Sequence, residues 1–81
     1  SWLGMLSNTQ NNRNVIMQIY LNGELTDTPS QNLLQLIQEL ALEGKRFAVE
    51  HNQQIVPKSK LEQITIAQHD RIEIIHAVGG G

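Results

Sequence analysis

The residues of this 81-residue chain best placed to do chemistry are its last three, Gly79-Gly80-Gly81, directly after the strand-like run Arg71-Ile72-Glu73-Ile74-Ile75-His76-Ala77-Val78. A segment without side chains presents a bare α-carboxylate on a thin, flexible stalk. Lacking Cβ, it can thread a narrow channel and let another backbone come close. An α-carboxyl titrates near pH ~3.5, so it is an anion at neutral pH and a poor electrophile. A partner enzyme must therefore activate it before anything can be transferred through it. Adenylation with ATP does so, because AMP is a good leaving group, and a sulfur nucleophile can then leave a thiocarboxylate on Gly81. The competing reading is a frayed chain end with no role. Its place after a strand, in so small a domain, favours a carrier whose working group is the terminal carboxyl.

Catalysis by side chains finds little support. His51, His69 and His76 lie far apart with no ligand-type spacing, so each is expected in a turn or on the surface rather than on a metal. Ser59 has no evident base, and no glycine-rich loop precedes the helical segment to cradle a phosphate. There is no cysteine, which excludes disulfides, thiol nucleophiles and thiolate metal sites. The expectation is a protein co-substrate rather than an enzyme, with no bound cofactor and no metal.

Composition bounds the partners. The net charge of −2 argues against nucleic acid, which requires a basic face. No apolar run reaches the roughly 20 residues that span a bilayer, and nothing resembles a secretory signal. A cytoplasmic setting is expected. Hydrophobic residues make up 40% of the chain and aromatics only 4%, so the core must be aliphatic. The length allows one domain.

The elements that must hold the tail follow from periodicity. Residues 1–16 are polar and aperiodic from Ser7 to Asn14 and read as a disordered leader or an artificial addition, with Trp2 exposed. The domain is expected over residues 17–81. Met17–Leu21 alternates as a half-buried strand, Asn22-Gly23 is a hairpin turn, and Glu24–Thr28 returns with Leu25 facing inward. Thr28-Pro29-Ser30 ends that strand and can start a helix, whose apolar stripe is Leu33, Leu34, Leu36, Ile37, Leu40 and Ala41. Gly44 fits the C-terminal cap, with Lys45 and Arg46 close by. Phe47–Glu50 reads as a strand, His51–Gln54 as a turn and Ile55-Val56 as a short extended piece ended by Pro57. Ser59–Gln63 reads as a helical turn, Ile64–Ile66 as a short strand, and Gln68–Asp70 as the turn into the last strand. The result is an α+β domain: a mixed sheet of about four to five strands with one main helix across it, in the manner of the β-grasp, ubiquitin-like architecture.

In the last strand Ile72 and Ile74 should enter the core, leaving Ile75 exposed beside the tail, with Tyr20 on the same side. An exposed apolar spot next to a working terminus can be a recognition patch. It can equally be an isolated surface hydrophobe. Tyr20, Ile75 and Val78 are the candidate partner-binding residues.

Met17-Gln18-Ile19-Tyr20-Leu21-Asn22-Gly23, Val49-Glu50-His51-Asn52, Ile55-Val56-Pro57, and Asp70-Arg71-Ile72-Glu73-Ile74 leading to Val78-Gly79-Gly80-Gly81 resemble the ThiS family of thiamine-biosynthesis sulfur carriers. The Gly-Gly ending alone is shared with ubiquitin-like proteins and with the molybdopterin-synthase small subunit, MoaD. The internal pieces point more narrowly to ThiS. One departure is His69-Asp70, where the family commonly has Gly-Asp. Histidine tolerates positive φ better than most residues, so the turn can survive. The resemblance implies a cycle. A ThiF-type enzyme adenylates Gly81 with ATP and magnesium. A sulfurtransferase relay fed by a cysteine desulfurase converts it to a thiocarboxylate. The thiazole synthase ThiG receives the sulfur. Gly79 and Gly80 supply reach, and the free carrier is expected to be monomeric. A MoaD-like donor to molybdopterin, a lysine-conjugated modifier and a plain ubiquitin-like interaction module are the alternatives.

Overall fold

The structure, a computed structural model, describes residues 15–76. The alternating run forms β1 (Met17–Leu21) and the Asn-Gly turn returns it as β2 (Glu24–Thr28). Asn22 and Gly23 sit at φ 51° and 87°, the paired positive values of a two-residue turn whose twist matches that of the strands it joins. That turn fixes register: Ile19 lies opposite Thr26 and Tyr20 opposite Leu25. Ile19 is wholly buried, so Thr26 shares its inner face, and Thr28 at the strand's end is buried too. Leu25, expected inward, is instead 55% exposed on the outer face. Register set by the turn overrides the hydrophobicity of one residue.

Helix α1 (Leu33–Glu39) starts at Asn32 rather than at Ser30. The Asn32 backbone is extended, and its Oδ1 accepts from the Gln35 amide at 2.8 Å. Ser30 is buried and donates its hydroxyl to Glu39 Oε1 at 2.9 Å, beside Thr28 Oγ1 donating to the same oxygen at 2.6 Å. The end of β2 is thereby tied to the last turn of α1. The helix ends earlier than the apolar stripe predicts. Ala41 takes φ 59°, its amide donates to Gln38 O at 3.0 Å and the Leu42 amide to Ile37 O at 3.0 Å. This is a Schellman closure with alanine in the place glycine usually fills. Gly44, the expected cap, instead closes the next turn at φ 85°, where Lys45 N donates to Leu42 O at 2.9 Å.

The remaining elements are β3 (Phe47–His51), β4 (Gln54–Val56), a 3-10 helix (Lys58–Gln63) and β5 (Arg71–His76). His51, expected in a turn, completes β3. Ile64–Ile66, expected as a strand, makes only a single bridge, Thr65 to Asn32, while Ile66 fills the core. The sheet order is β2-β1-β5-β3-β4, with β1 and β5 parallel and the other pairs antiparallel. Leu33, Leu36 and Ile37 of α1 bury against Ile19, Val49, Ile72 and Ile74 of the sheet. Each fully buried aliphatic side chain contributes about 1.5–3 kcal/mol of transfer free energy. The core is aliphatic, as composition requires, and the last strand to form in sequence is the central one in space.

Candidate functional site

β5 leads into the candidate tail, so what fixes β5 fixes the tail's root. Its pattern alternates: Ile72 and Ile74 buried, Arg71, Glu73 and Ile75 exposed. On one side it pairs with β3 all the way from His51↔Ile72 to Phe47↔His76. On the other side the parallel ladder with β1 covers only Tyr20↔Arg71 and Leu21↔Ile72, because β1 turns away at Asn22.

Two turn asparagines extend that pairing. Asn22 N donates to Ile72 O at 2.9 Å, as the next parallel rung requires. With its backbone diverted into the turn, Asn22 Oδ1 accepts from Ile74 N at 2.8 Å, in place of the backbone carbonyl. Asn52, at φ 50° in the β3–β4 turn, does the same at the strand's other end. Its amide donates to Arg71 O at 2.8 Å and its Oδ1 accepts from Arg71 N at 2.9 Å.

The approach to β5 is held by Asp70. Asp70 Oδ2 meets His51 Nε2 at 2.7 Å and accepts from the Ala67 amide at 2.9 Å, while Oδ1 accepts from Asn52 Nδ2 at 3.2 Å. Burial pushes the Asp70 carboxyl up, but the Ala67 amide, His51 and Asn52 together outweigh it and hold the group below its ordinary value. His69 occupies φ 67°, the positive value anticipated for it in the turn into β5.

The outer face of the sheet carries Ile75 at 71% exposure, Ile55 at 75% and Leu25 at 55%. Tyr20, opposite Leu25, stacks under the Arg71 guanidinium at 4.6 Å from its ring centre. Glu50 and Glu73 lie opposite each other in the same cross-strand row as Ile55, while Ile75 lies in the next outer-face row, opposite Ala48. Like charges in direct opposition across two strands repel. The structure therefore places Tyr20 and Ile75 on one face. Val78, Gly79, Gly80 and Gly81 lie outside the described residues, as does Trp2. Of the expected leader only Val15 and Ile16 are described, both exposed. Sequence reasoning missed Ile55 and Leu25 as outer-face residues, and it missed the Asn22, Asn52 and His51–Asp70 contacts. The Asn-Gly and His-Asn turn signals marked the positions but not the side-chain bonds.

Among the described residues no cluster of three or more His, Cys, Asp or Glu could hold a metal ion, and no helix is long and apolar enough to cross a membrane.

Residues 14–81 match the ThiS family. The sulfur carrier protein ThiS of Bacillus subtilis is 39% identical over 46 residues, spanning 57% of this chain and 70% of that protein. The thiazole synthase of Paramagnetospirillum magneticum is 36% identical, and that of Magnetococcus marinus 32%, each over 66 residues and 80% of this chain. This chain spans only 20% of the length of each of those two relatives. The crystal structure of the thiamine biosynthesis protein ThiS from Geobacter metallireducens superposes with a TM-score of 0.67 at 22% identity, covering 80% of this chain and all of that one. At that identity the likeness is one of fold.

Proposed function

The chain belongs to the ThiS family, the sulfur carriers of thiamine biosynthesis, and from that premise we propose that the Gly81 carboxyl is the group it carries sulfur on. The single observation that carries this reading is a family match running from residue 14 through all three tail glycines to Gly81. A carboxylate oxygen of Gly81 attacks the α-phosphorus of ATP on a ThiF-type enzyme with magnesium. Pyrophosphate leaves, and the product is an acyl adenylate. A sulfurtransferase relay fed by a cysteine desulfurase then brings sulfur as a persulfide, whose terminal sulfur attacks the adenylate, and AMP leaves. A thiol reductant cleaves the resulting acyl disulfide and is itself oxidised to a disulfide. One C–O bond is exchanged for one C–S bond, and Gly81 ends as a thiocarboxylate. ATP and magnesium belong to the activating partner in this scheme, and the carrier supplies no catalytic side chain.

Gly79 and Gly80 give the arm its reach and narrow section, since any Cβ there widens what a partner channel must admit. The acceptor of the sulfur is a thiazole synthase. Support comes from the two thiazole synthases that contain a stretch similar to this chain within a far longer polypeptide.

The globular body is gripped through the outer face of the sheet, by Tyr20 and Ile75 together with Ile55 and Leu25, with Val78 a further candidate contact. These exposed aliphatics are spread across the sheet, Leu25 on one edge strand and Ile55 on the other, and Ile75 is the one near the end of β5, where an exposed apolar side chain can meet a partner. The opposed Glu50–Glu73 pair, one row from Ile75, fits a basic side chain on the partner. The test is ATP–pyrophosphate exchange by a ThiF-type enzyme. Exchange that depends on this protein and disappears on deleting Gly80-Gly81 supports the reading. Exchange unaffected by that deletion contradicts it.

A further inference from the structure

We propose that Asn22 is a positioning residue for the reactive arm: its side-chain carbonyl supplies the last rung holding β5 on the β1 side. It thereby keeps β5, the strand that precedes Gly79–Gly81 in sequence, held from both sides as far as Ile74. This rests on the reading of Gly81 given above.

The geometry of the parallel ladder makes the assignment. In each rung a β1 residue donates its amide to the β5 residue before its partner and accepts from the β5 residue after it. Tyr20 follows this rule, its amide donating to Asp70 O at 2.9 Å. Asn22 is the next residue facing β5. Its amide makes the first bond of the rung, to Ile72 O at 2.9 Å. Its backbone carbonyl is carried off by the turn at φ 51°, and Oδ1 takes over the second bond, to Ile74 N at 2.8 Å.

Beyond this rung, among the described residues, no strand lies beside β5 on that side. A cleft of about 200 Å³ opens instead, lined by Leu21, Asn22, Leu40, Leu42, Ile74 and His76. Only Ile75 and His76 of β5 lie between the Asn22 rung and the end of the strand. Without Oδ1, the last bonded point on this side retreats from Ile74 to Ile72. The pairing with β3 through Ala48↔Ile75 and Phe47↔His76 then holds this end from one side only, and the added motion must be lost whenever a partner draws the arm in.

Few residues satisfy both demands at position 22. The positive φ favours Gly, Asn or Asp, and the rung needs a short side-chain acceptor, which glycine lacks. Asn22→Gly therefore keeps the turn and removes only the rung, while Asn22→Asp restores an acceptor.

The experiment uses the full chain. Amide exchange is followed by NMR at Ile74, with Ile19 as an internal reference for global opening, and adenylation is followed as kcat and KM with a ThiF-type enzyme. Asn22→Gly is expected to speed exchange at Ile74 about tenfold relative to Ile19. It should also lower kcat about tenfold, equivalent to about 1.4 kcal/mol, with KM little changed because the docking face is intact. Asn22→Asp should recover both. Unchanged exchange at Ile74, accelerated exchange with unchanged kcat, or failure of Asn22→Asp to recover kcat overturns the assignment. A wild-type chain that is not adenylated at all defeats the functional reading and with it this role, while Ile74 exchange still reports whether the rung exists.

Discussion

Asn22 and Asn52 hold β5 from opposite sides by the same device, each at positive φ in a two-residue turn and each substituting its side-chain carbonyl for the backbone carbonyl that the turn removes. Asn52 fixes Arg71 where the strand begins, and Asn22 fixes Ile74 near where it ends. The central strand is registered at both ends by the tips of its neighbouring hairpins. The strand that precedes the proposed reactive glycines in sequence is thereby kept from sliding in register.

Replacing Ile75 by Asp should leave the fold intact, because the side chain is 71% exposed and outside the core. It should raise the KM for adenylation tenfold or more by placing a charge within the apolar face, and Ile55→Asp should do likewise. The thermal midpoint and steady-state kinetics check this together. Unchanged kinetics in both variants would remove the outer face from the docking scheme.

Asp70 should make the fold sensitive to acid. Its folded-state value lies below the ordinary carboxylate value near ~3.9 that the unfolded chain retains. A depressed folded value means that the unfolded state binds the proton more readily, so acid favours unfolding. The stabilisation is fully present above the unfolded value and is lost as pH falls through the folded one. Urea unfolding between pH 7 and pH 2 should show this limb for the wild type and a flatter one for Asp70→Asn. At neutral pH the variant should lose about 1–3 kcal/mol, the cost typical of hydrogen bonds to a charged group.

Ala41 and Gln53 stand at φ 59° and 72°, where an L side chain is strained. Both are exposed, so glycine sacrifices no packing there. Ala41→Gly and Gln53→Gly should each raise stability by about 0.5–1 kcal/mol, the strain relief exceeding the extra entropy of the unfolded chain. Gly44→Ala, at φ 85° with open space around it, should lower stability by a similar amount. Chemical denaturation of the three variants measures the sign directly.

Leu25 and Ile19 test which face of the first hairpin is buried. Ile19→Ala should cost about 2–5 kcal/mol through loss of buried volume. Leu25→Ala should change stability by no more than about 0.5 kcal/mol. Comparable losses at the two positions would contradict the observed register.

Much of this architecture is legible in the residues themselves. Alternation from Met17 and at Arg71, the Asn-Gly dipeptide and the leucine spacing after Asn32 encode the hairpin, the last strand and the helix, because each signal is local. The misread positions are those where a non-local bond decides. Leu25 faces out because the turn fixes its phase, and its hydrophobicity does not. Ser30 looks like a helix cap but is consumed by Glu39, which leaves Asn32 to cap. Ala41 does the work expected of Gly44, and Asn52-Gln53 makes a turn without the glycine that announces one. At the site, Ile75 and Tyr20 were readable from strand parity. Ile55 was not, because the pairing of β4 with β3 decides that Val56 faces the core and Ile55 the open outer face.

The most direct measurement is the mass of the C-terminal peptide after the protein is incubated with a ThiF-type enzyme, ATP, magnesium, a sulfurtransferase relay with its cysteine desulfurase, cysteine and a thiol reductant. The account predicts a gain equal to the exchange of one oxygen for one sulfur, located by fragmentation on Gly81 and absent when Gly80→Val bars the arm from the partner. A peptide that stays unmodified while the same enzymes load a known ThiS protein, or a sulfur found on any other residue, would contradict it.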